Sequence, residues 1–276
     1  MAQIAPRFSR PVRELFSDVG GEMFIPSAGG KVVVRKTIER LSSEVIVNSK
    51  AVQQSVLGFT PIRNSSIVYN AVSSEYFHLQ KTPEDFRHEI GIGPESKVVG
   101  IPSTMRPMKG QLFFLAALRR IVDLDSTVIA VFLGDIKSAY GEKVVEMVRE
   151  LRLDDHVCFA GEIKNMPTFY GMCDVICVPS VAEPFGRVAI EAFFSGTPVV
   201  ATNVGGLPEI VEDQVTGLLV EYGDVEGFAN AVLKMISNPT LAARLSGTAE
   251  ILACSKFSEA AYKNNVLNVV GSALGN

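Results

Sequence analysis

The 276-residue sequence is poor in the residues that usually build metal centres and disulfide frameworks, with three histidines and four cysteines. His78, His88 and His156 do not combine with Cys158, Cys173, Cys177 and Cys254 into a zinc spacing. The cysteines sit among apolar neighbours, which predicts buried free thiols and no disulfide. Cys173 and Cys177 are too far apart in sequence for a redox pair, and Cys177 falls within an apolar run. No apolar stretch is long enough to span a bilayer. The opening MAQIAPRFSRPVRELF lacks the apolar centre of a secretory signal. A cytoplasmic location is therefore expected, with peripheral contact to the inner face of a membrane left open. The chain has no basic block and a net charge of -4, which argues against a nucleic-acid partner. It also lacks internal repeats and low-complexity segments.

What is present is ample apolar material. A hydrophobic content of 47% suffices for one large domain or two small ones. The stretch that organises the chain is Val175–Val204, VICVPSVAEPFGRVAIEAFFSGTPVVATNV. Its apolar run Val175–Val178 stops at Pro179-Ser180, a short loop follows, and apolar residues then recur with helical spacing from Gly186 to Phe194 before Gly196. A second β-rich run, Pro198–Ala201, completes a βαβ crossover. Its loop lies at the carboxyl end of the first strand, where α/β sheets bind ligands.

The residue types in that loop suggest the ligand. Gly186 carries no side chain to hold a ligand away, so the amides of Gly186, Arg187 and Val188 are free to face an anion at a helix N-terminus. Glu183 precedes the helix and Glu191 lies about one turn inside it, so two acceptor-only carboxylates flank the anion position. Carboxylates beside a phosphate make sense if they hold hydroxyls. A diphosphate with polyols at both ends, a nucleotide sugar, fits. The bland alternative is a capping Glu183 and a solvated Glu191.

Glu183 and Glu191 stand as E-x7-E within E-P-F-G-x4-E-A, and this resembles the donor-site signature of the retaining glycosyltransferases of family 4. The likeness continues, in the family's order, through VCFAG (Val157–Gly161), CDVICVPS (Cys173–Ser180), GTPVVATNVGGLPEIV (Gly196–Val211) and TGLLV (Thr216–Val220). It implies an α/β fold of the GT-B type, with two Rossmann-like domains. It further implies that Glu183 contacts donor-sugar hydroxyls, that Glu191 holds the ribose, and that the amides after Phe185 (Gly186, Arg187, Val188) hold the diphosphate. The backbone of Val157–Gly161 would frame the base. The family's Lys-Gly matches Lys109-Gly110, a cation for the leaving diphosphate. Where the family commonly has an arginine this chain has Thr104, and Arg106 is either its substitute or a solvated loop residue. The implied chemistry needs no metal or other cofactor, and no Asp-x-Asp is placed for one.

The remaining periodicity predicts a short helical piece at Val12–Phe16 and a helix over Lys31–Leu41. It predicts a strand at Glu44–Asn48, a helix at Ala51–Leu57 and a strand at Ser66–Tyr69. A short helix is expected at Pro83–His88. Beyond Ser96, strands are expected at Lys97–Ile101, Thr127–Gly134 and His156–Gly161. They alternate with helices at Gln111–Asp123, Glu142–Leu153 and Met166–Met172, and Leu112, Leu115, Ala116, Leu118 and Ile121 form the apolar side of the first. Tyr170 is read as core. After the turn Gly205-Gly206 come helices at Pro208–Val211, Val225–Ile236 (capped by Asp224), Leu241–Ala253 and Glu259–Leu274. The resulting division is 1–75, a partial N-terminal acceptor-binding domain; 76–95, a linker; 96–255, the donor-binding domain; and 256–276, a helix returning toward the N-terminal part. By the resemblance most of the acceptor-binding domain is missing, so a partner chain or a homo-oligomer is one way to complete it.

The leading expectation is transfer of a sugar from a nucleoside-diphosphate sugar to a glycan or lipid-linked acceptor, in polysaccharide or glycolipid biosynthesis. A non-catalytic nucleotide-sugar-binding subunit or remnant is the second reading. A nucleotide-sugar epimerase is the third; it would need an acid and a base from two domains, which E-x7-E does not supply.

Overall fold

The computed structural model describes residues 13–14, 44–57, 65–73 and 82–274. The helix expected over Lys31–Leu41 lies outside them. Contacts divide the chain into two compact units, Met1–Ala71 with Glu259–Asn276, and Val72–Ser258.

In the first unit, among the described residues, β1 (Arg13–Glu14), β2 (Val45–Val47) and β3 (Ser65–Ile67) form a parallel sheet in which α1 (Lys50–Leu57) connects β2 to β3. Arg13 and Glu14 pair with Val45 and Ile46, so the helical piece expected around Val12–Phe16 is a strand at these two positions. Backbone pairing with β2 overrides a weak local pattern. Buried Ser49 starts α1, its Oγ accepting from Val52 N at 3.0 Å. Val45, Val47 and Val52 form a small core.

The second unit opens with α2 (Pro83–Glu89), capped by Thr82, whose side chain accepts from Asp85 N. Arg87 of α2 donates to the Met172 carbonyl and pairs with Asp174 at 3.1 Å, fastening this segment to the sheet domain. There follow β4 (Lys97–Ile101), α3 (Gln111–Leu124), β5 (Val128–Leu133), α4 (Ala139–Glu150), β6 (Val157–Gly161) and α5 (Met166–Met172). Next come β7 (Val175–Val178), α6 (Arg187–Phe194), β8 (Val199–Thr202), α7 (Leu207–Ile210), β9 (Leu218–Val220), α8 (Val225–Ser237) and α9 (Pro239–Lys256). The six strands form one parallel sheet ordered β6-β5-β4-β7-β8-β9. Every residue of β7 and β8 is buried, as expected for central strands covered by helices on both faces. α3 packs on α4 and α8, and α5 and α9 pack on α6.

Several predicted helices change bounds or face: α9 runs Pro239–Lys256 against the expected Leu241–Ala253, and α7 starts one residue early at Leu207. α4 begins at Ala139 instead of Glu142 because Ser138 caps it, accepting from Gly141 N, and it ends before Arg152, which takes the left-handed φ of 53°. On α3, Leu112 and Ala116 sit at the margin while Phe114 and Ala117 are fully buried. The helix is covered by the sheet and by α8 together, with Phe114 edge-on to Phe228 at 6.2 Å. α10 (Glu259–Leu274) closes the chain and groups with the first unit.

Candidate functional site at the sheet switch point

The strand order fixes where a crevice forms. From β4 the chain winds outward through β5 to β6, returns to β7 on the other side of β4, and winds outward again through β8 to β9. The loops leaving β4 and β7 therefore diverge at their carboxyl ends, which is the switch point of a doubly wound sheet. The β4 loop carries Arg106 and Lys109, and the β7 loop carries Glu183 and Gly186.

The two loops touch through backbone. The carbonyl of Met108 accepts from Val181 N at 2.8 Å. Gly110 has a φ of +72°, and a Cβ there would lie 1.8 Å from the Pro179 carbonyl oxygen, so only glycine permits the approach. The turn after β8 pins the β7 loop from the other side. Gly206 N donates to the Glu183 carbonyl at 2.8 Å, and a Cβ on Gly205 would lie 2.0 Å from that oxygen. Thr202 Oγ1 donates to the Ser180 carbonyl at 2.6 Å. Glu183 is thus held at its backbone before its side chain does anything.

Lys109 Nζ donates to Glu183 Oε2 at 2.6 Å, and Ser180 Oγ donates to the same oxygen at 3.2 Å. The lysine side chain is 24% exposed and the glutamate side chain 11%, so the pair is largely out of water. Ser103, Lys109, Ser180, Glu183 and Val188 line a cavity of about 10 Å³, room for about one water. Gly186, at φ +107°, is the N-cap of α6, and no side chain caps that end. The N–H groups of Gly186, Arg187 and Val188 have no acceptor within the helix and are available to an anion. Phe185 turns inward, edge-on to Phe257 at 6.2 Å, and anchors the loop through the core.

Glu191 is 6% exposed, not a solvated residue on a helix face. Its Oε1 accepts from Arg187 Nε at 2.7 Å and its Oε2 from Tyr170 Oη at 2.6 Å. The Tyr170 contact has no local signal, whereas Arg187 and Glu191 stand four residues apart on one helix, a spacing that pairs opposite charges. Ser180 and the Gly205-Gly206 clamp join the site through contacts with Glu183 that residue type alone does not signal. Gln111 is fully buried, and its Nε2 donates to Ser103 Oγ and the Thr104 carbonyl and so shapes the β4 loop.

The other sequence candidates are distributed differently. Arg106 is exposed on the same loop as Lys109, three positions before it, and Thr104 is exposed as well. Gly161 ends β6, with φ +68°, and its carbonyl accepts from Gly134 N at the end of β5. Val157 starts β6, about 13 Å along the strand from Gly161. It lines a separate groove of about 290 Å³ with Ile129, Asp155 and Cys158. The structure therefore does not bring Val157 together with Lys109 and Glu183. His156 bonds the Val128 carbonyl through Nδ1 at 3.0 Å, a structural contact. Burial pushes the Cys173 and Cys177 thiols well above their ordinary range, and pushes Cys158 up as well. Among the described residues, no three His, Cys, Asp or Glu side chains are grouped to hold a metal ion. No helix among them is long and apolar enough to cross a membrane.

Comparison with known proteins agrees with this architecture. The family described as Glycosyl transferases group 1 matches residues 83–251. The D-inositol 3-phosphate glycosyltransferase of Segniliparus rotundus is 32% identical over 192 residues, which are 68% of this chain and 42% of that protein. The chain spans about half the length of the curated relatives it matches. Anabaena HepE, solved in complex with UDP-glucose, superposes with a TM-score of 0.82 at 27% identity, over 90% of this chain and 68% of HepE. The C-terminal domain of a group 1 glycosyl transferase from Francisella tularensis shares the fold, with a TM-score of 0.60 at 24% identity, covering 68% of this chain and 100% of that domain. The chain belongs to the group 1 glycosyl transferases, family 4, and its six-stranded unit is the Rossmann-like C-terminal domain of the GT-B fold.

Proposed function

We propose that the protein takes a sugar from a nucleoside-diphosphate sugar bound at the switch point and delivers it to a glycan or lipid-linked acceptor. The observation that carries this reading is the convergence of Lys109, Glu183 and the uncapped N-terminus of α6 on one crevice. Donor binding is assigned to residues 96–255. UDP-sugars are the first donors to test, because HepE was solved with UDP-glucose.

In this reading the diphosphate lies against the amides of Gly186, Arg187 and Val188, and Lys109 neutralises the charge that grows on the leaving phosphate. Lys109 then moves from Glu183 to the phosphate, and Glu183 exchanges its ammonium partner for donor-sugar hydroxyls. Glu191 accepts from the ribose. Arg106, on the Lys109 loop, adds a second cation at the rim. The acceptor hydroxyl attacks the anomeric carbon on the face from which the diphosphate departs, so the configuration is retained. The new C–O bond forms as the C–O bond to phosphate breaks, and the acceptor proton passes to the departing phosphate oxygen.

The test is a thermal-shift screen of the chain against UDP-, GDP- and ADP-sugars, since a ligand bound only by the folded state raises its melting temperature. It is followed by donor turnover in wild type and Glu183→Ala. Loss of at least ~100-fold in turnover is expected, and wild-type rates in the variant would end this assignment.

A further inference from the structure

Tyr170 reads as a core residue, and its ring is wholly buried, edge-on to Phe169 at 5.9 Å. Its hydroxyl nevertheless ends on Glu191 Oε2 at 2.6 Å. Several contacts that do not involve Glu191 set where that hydroxyl lies. Asn165 caps α5, accepting from Thr168 N at 3.2 Å. Thr197 Oγ1 donates to the Tyr170 carbonyl at 2.9 Å, and Cys173 Sγ donates to the Phe169 carbonyl. The phenol is a fixed donor brought to the carboxylate from the interior, whereas Arg187, 63% exposed, reaches the other oxygen from the solvent side. A glutamate side chain has three rotatable bonds, and a donor on each oxygen removes most of that freedom. Each carboxylate oxygen has a further lone pair, so both remain able to accept from a ligand.

We infer that Tyr170 is a positioning residue of the donor site: its buried hydroxyl aims the Glu191 carboxylate at the vicinal diol of the nucleoside ribose. The inference rests on the donor reading above. Tyr170 touches no substrate atom. It acts through Glu191, and it ties α5 to α6, the helix whose N-terminus faces the phosphates in that reading.

The experiment is calorimetric titration of the full chain and Tyr170→Phe with UDP and with 2′,3′-dideoxy-UDP. The substitution keeps the ring and removes only the donor. Tyr170→Phe is expected to weaken UDP about tenfold, the worth of the Glu191–ribose hydrogen bond that a loosened carboxylate no longer makes. Both proteins are expected to bind the dideoxy compound equally. Equal loss for both ligands would assign Tyr170 a purely structural role and overturn the inference, as would unchanged UDP affinity. NMR of the ¹³Cζ-tyrosine-labelled wild type applies the same discrimination without a substitution: UDP moves the Tyr170 signal and dideoxy-UDP does not, and equal responses to the two would overturn the inference. A wild-type chain that binds none of UDP, GDP and ADP would overturn the donor reading, and this inference with it.

Discussion

The Lys109–Glu183 pair can be tested before any donor is known. Two unit charges about 4 Å apart attract by roughly 4 kcal/mol at an effective dielectric of about 20. Both groups have lost most of their water, and that desolvation offsets a large part of the attraction. The Ser180 hydroxyl returns some of it by donating to the same oxygen. A net coupling of about 1–3 kcal/mol remains, above the ~0.2–1 kcal/mol of an exposed pair. The measurement is a double-mutant cycle of Lys109→Met, Glu183→Gln and the double variant, read by urea unfolding of the full chain. The losses in the two single variants should together exceed the loss in the double variant by that coupling. A coupling below about 0.5 kcal/mol would refute the idea that the pair is an organised, water-poor contact. With a bound UDP-sugar the coupling should shrink, because the two groups then face different parts of the ligand.

Other outcomes follow from particular contacts. Gly110→Ala forces an alanine to φ +72° with its Cβ on the Pro179 oxygen and should cost at least ~3 kcal/mol, whereas Gly247→Ala, in an open helical position, should gain about 0.5–1 kcal/mol; chemical denaturation compares them. In the folded protein iodoacetamide should label exposed Cys254 first and leave buried Cys173 and Cys177 unmodified, as peptide mass spectrometry would report. The Thr127 side chain and backbone hold the Asp125 carboxyl below its ordinary value. A depressed carboxyl contributes stability above its unfolded-state pKa and loses it as pH falls through the folded one. The melting difference between wild type and Thr127→Val should therefore be present near neutrality and narrow in acid, and a difference that widened there would contradict the assignment.

How much of this was legible in the sequence depended on range. The strands β4 and β7 and the helices α5 and α10 could be bounded to the residue, because apolar runs broken by Pro or Gly are local signals. The early start of α4 follows from the Ser138 cap, a local signal that the apolar periodicity does not contain. The extra burial on α3 came from a second layer, α8, that no window of α3 contains. At the crevice the residue types pointed to carboxylates beside an anion position. The partners did not show, since Lys109 meets Glu183 across 74 residues and Tyr170 meets Glu191 across 21, separations that only the strand order closes. Val157 and Gly161 show that a motif can span more than one place: they lie about 13 Å apart along β6, and Val157 lines a groove away from Lys109 and Glu183.

The most direct measurement is a crystal of the chain soaked with UDP-glucose. The account predicts the diphosphate against the amides of Gly186, Arg187 and Val188, with Lys109 swung from Glu183 onto a phosphate oxygen and Glu191 on the ribose. A nucleotide seated elsewhere, with the Lys109–Glu183 contact intact, would contradict it.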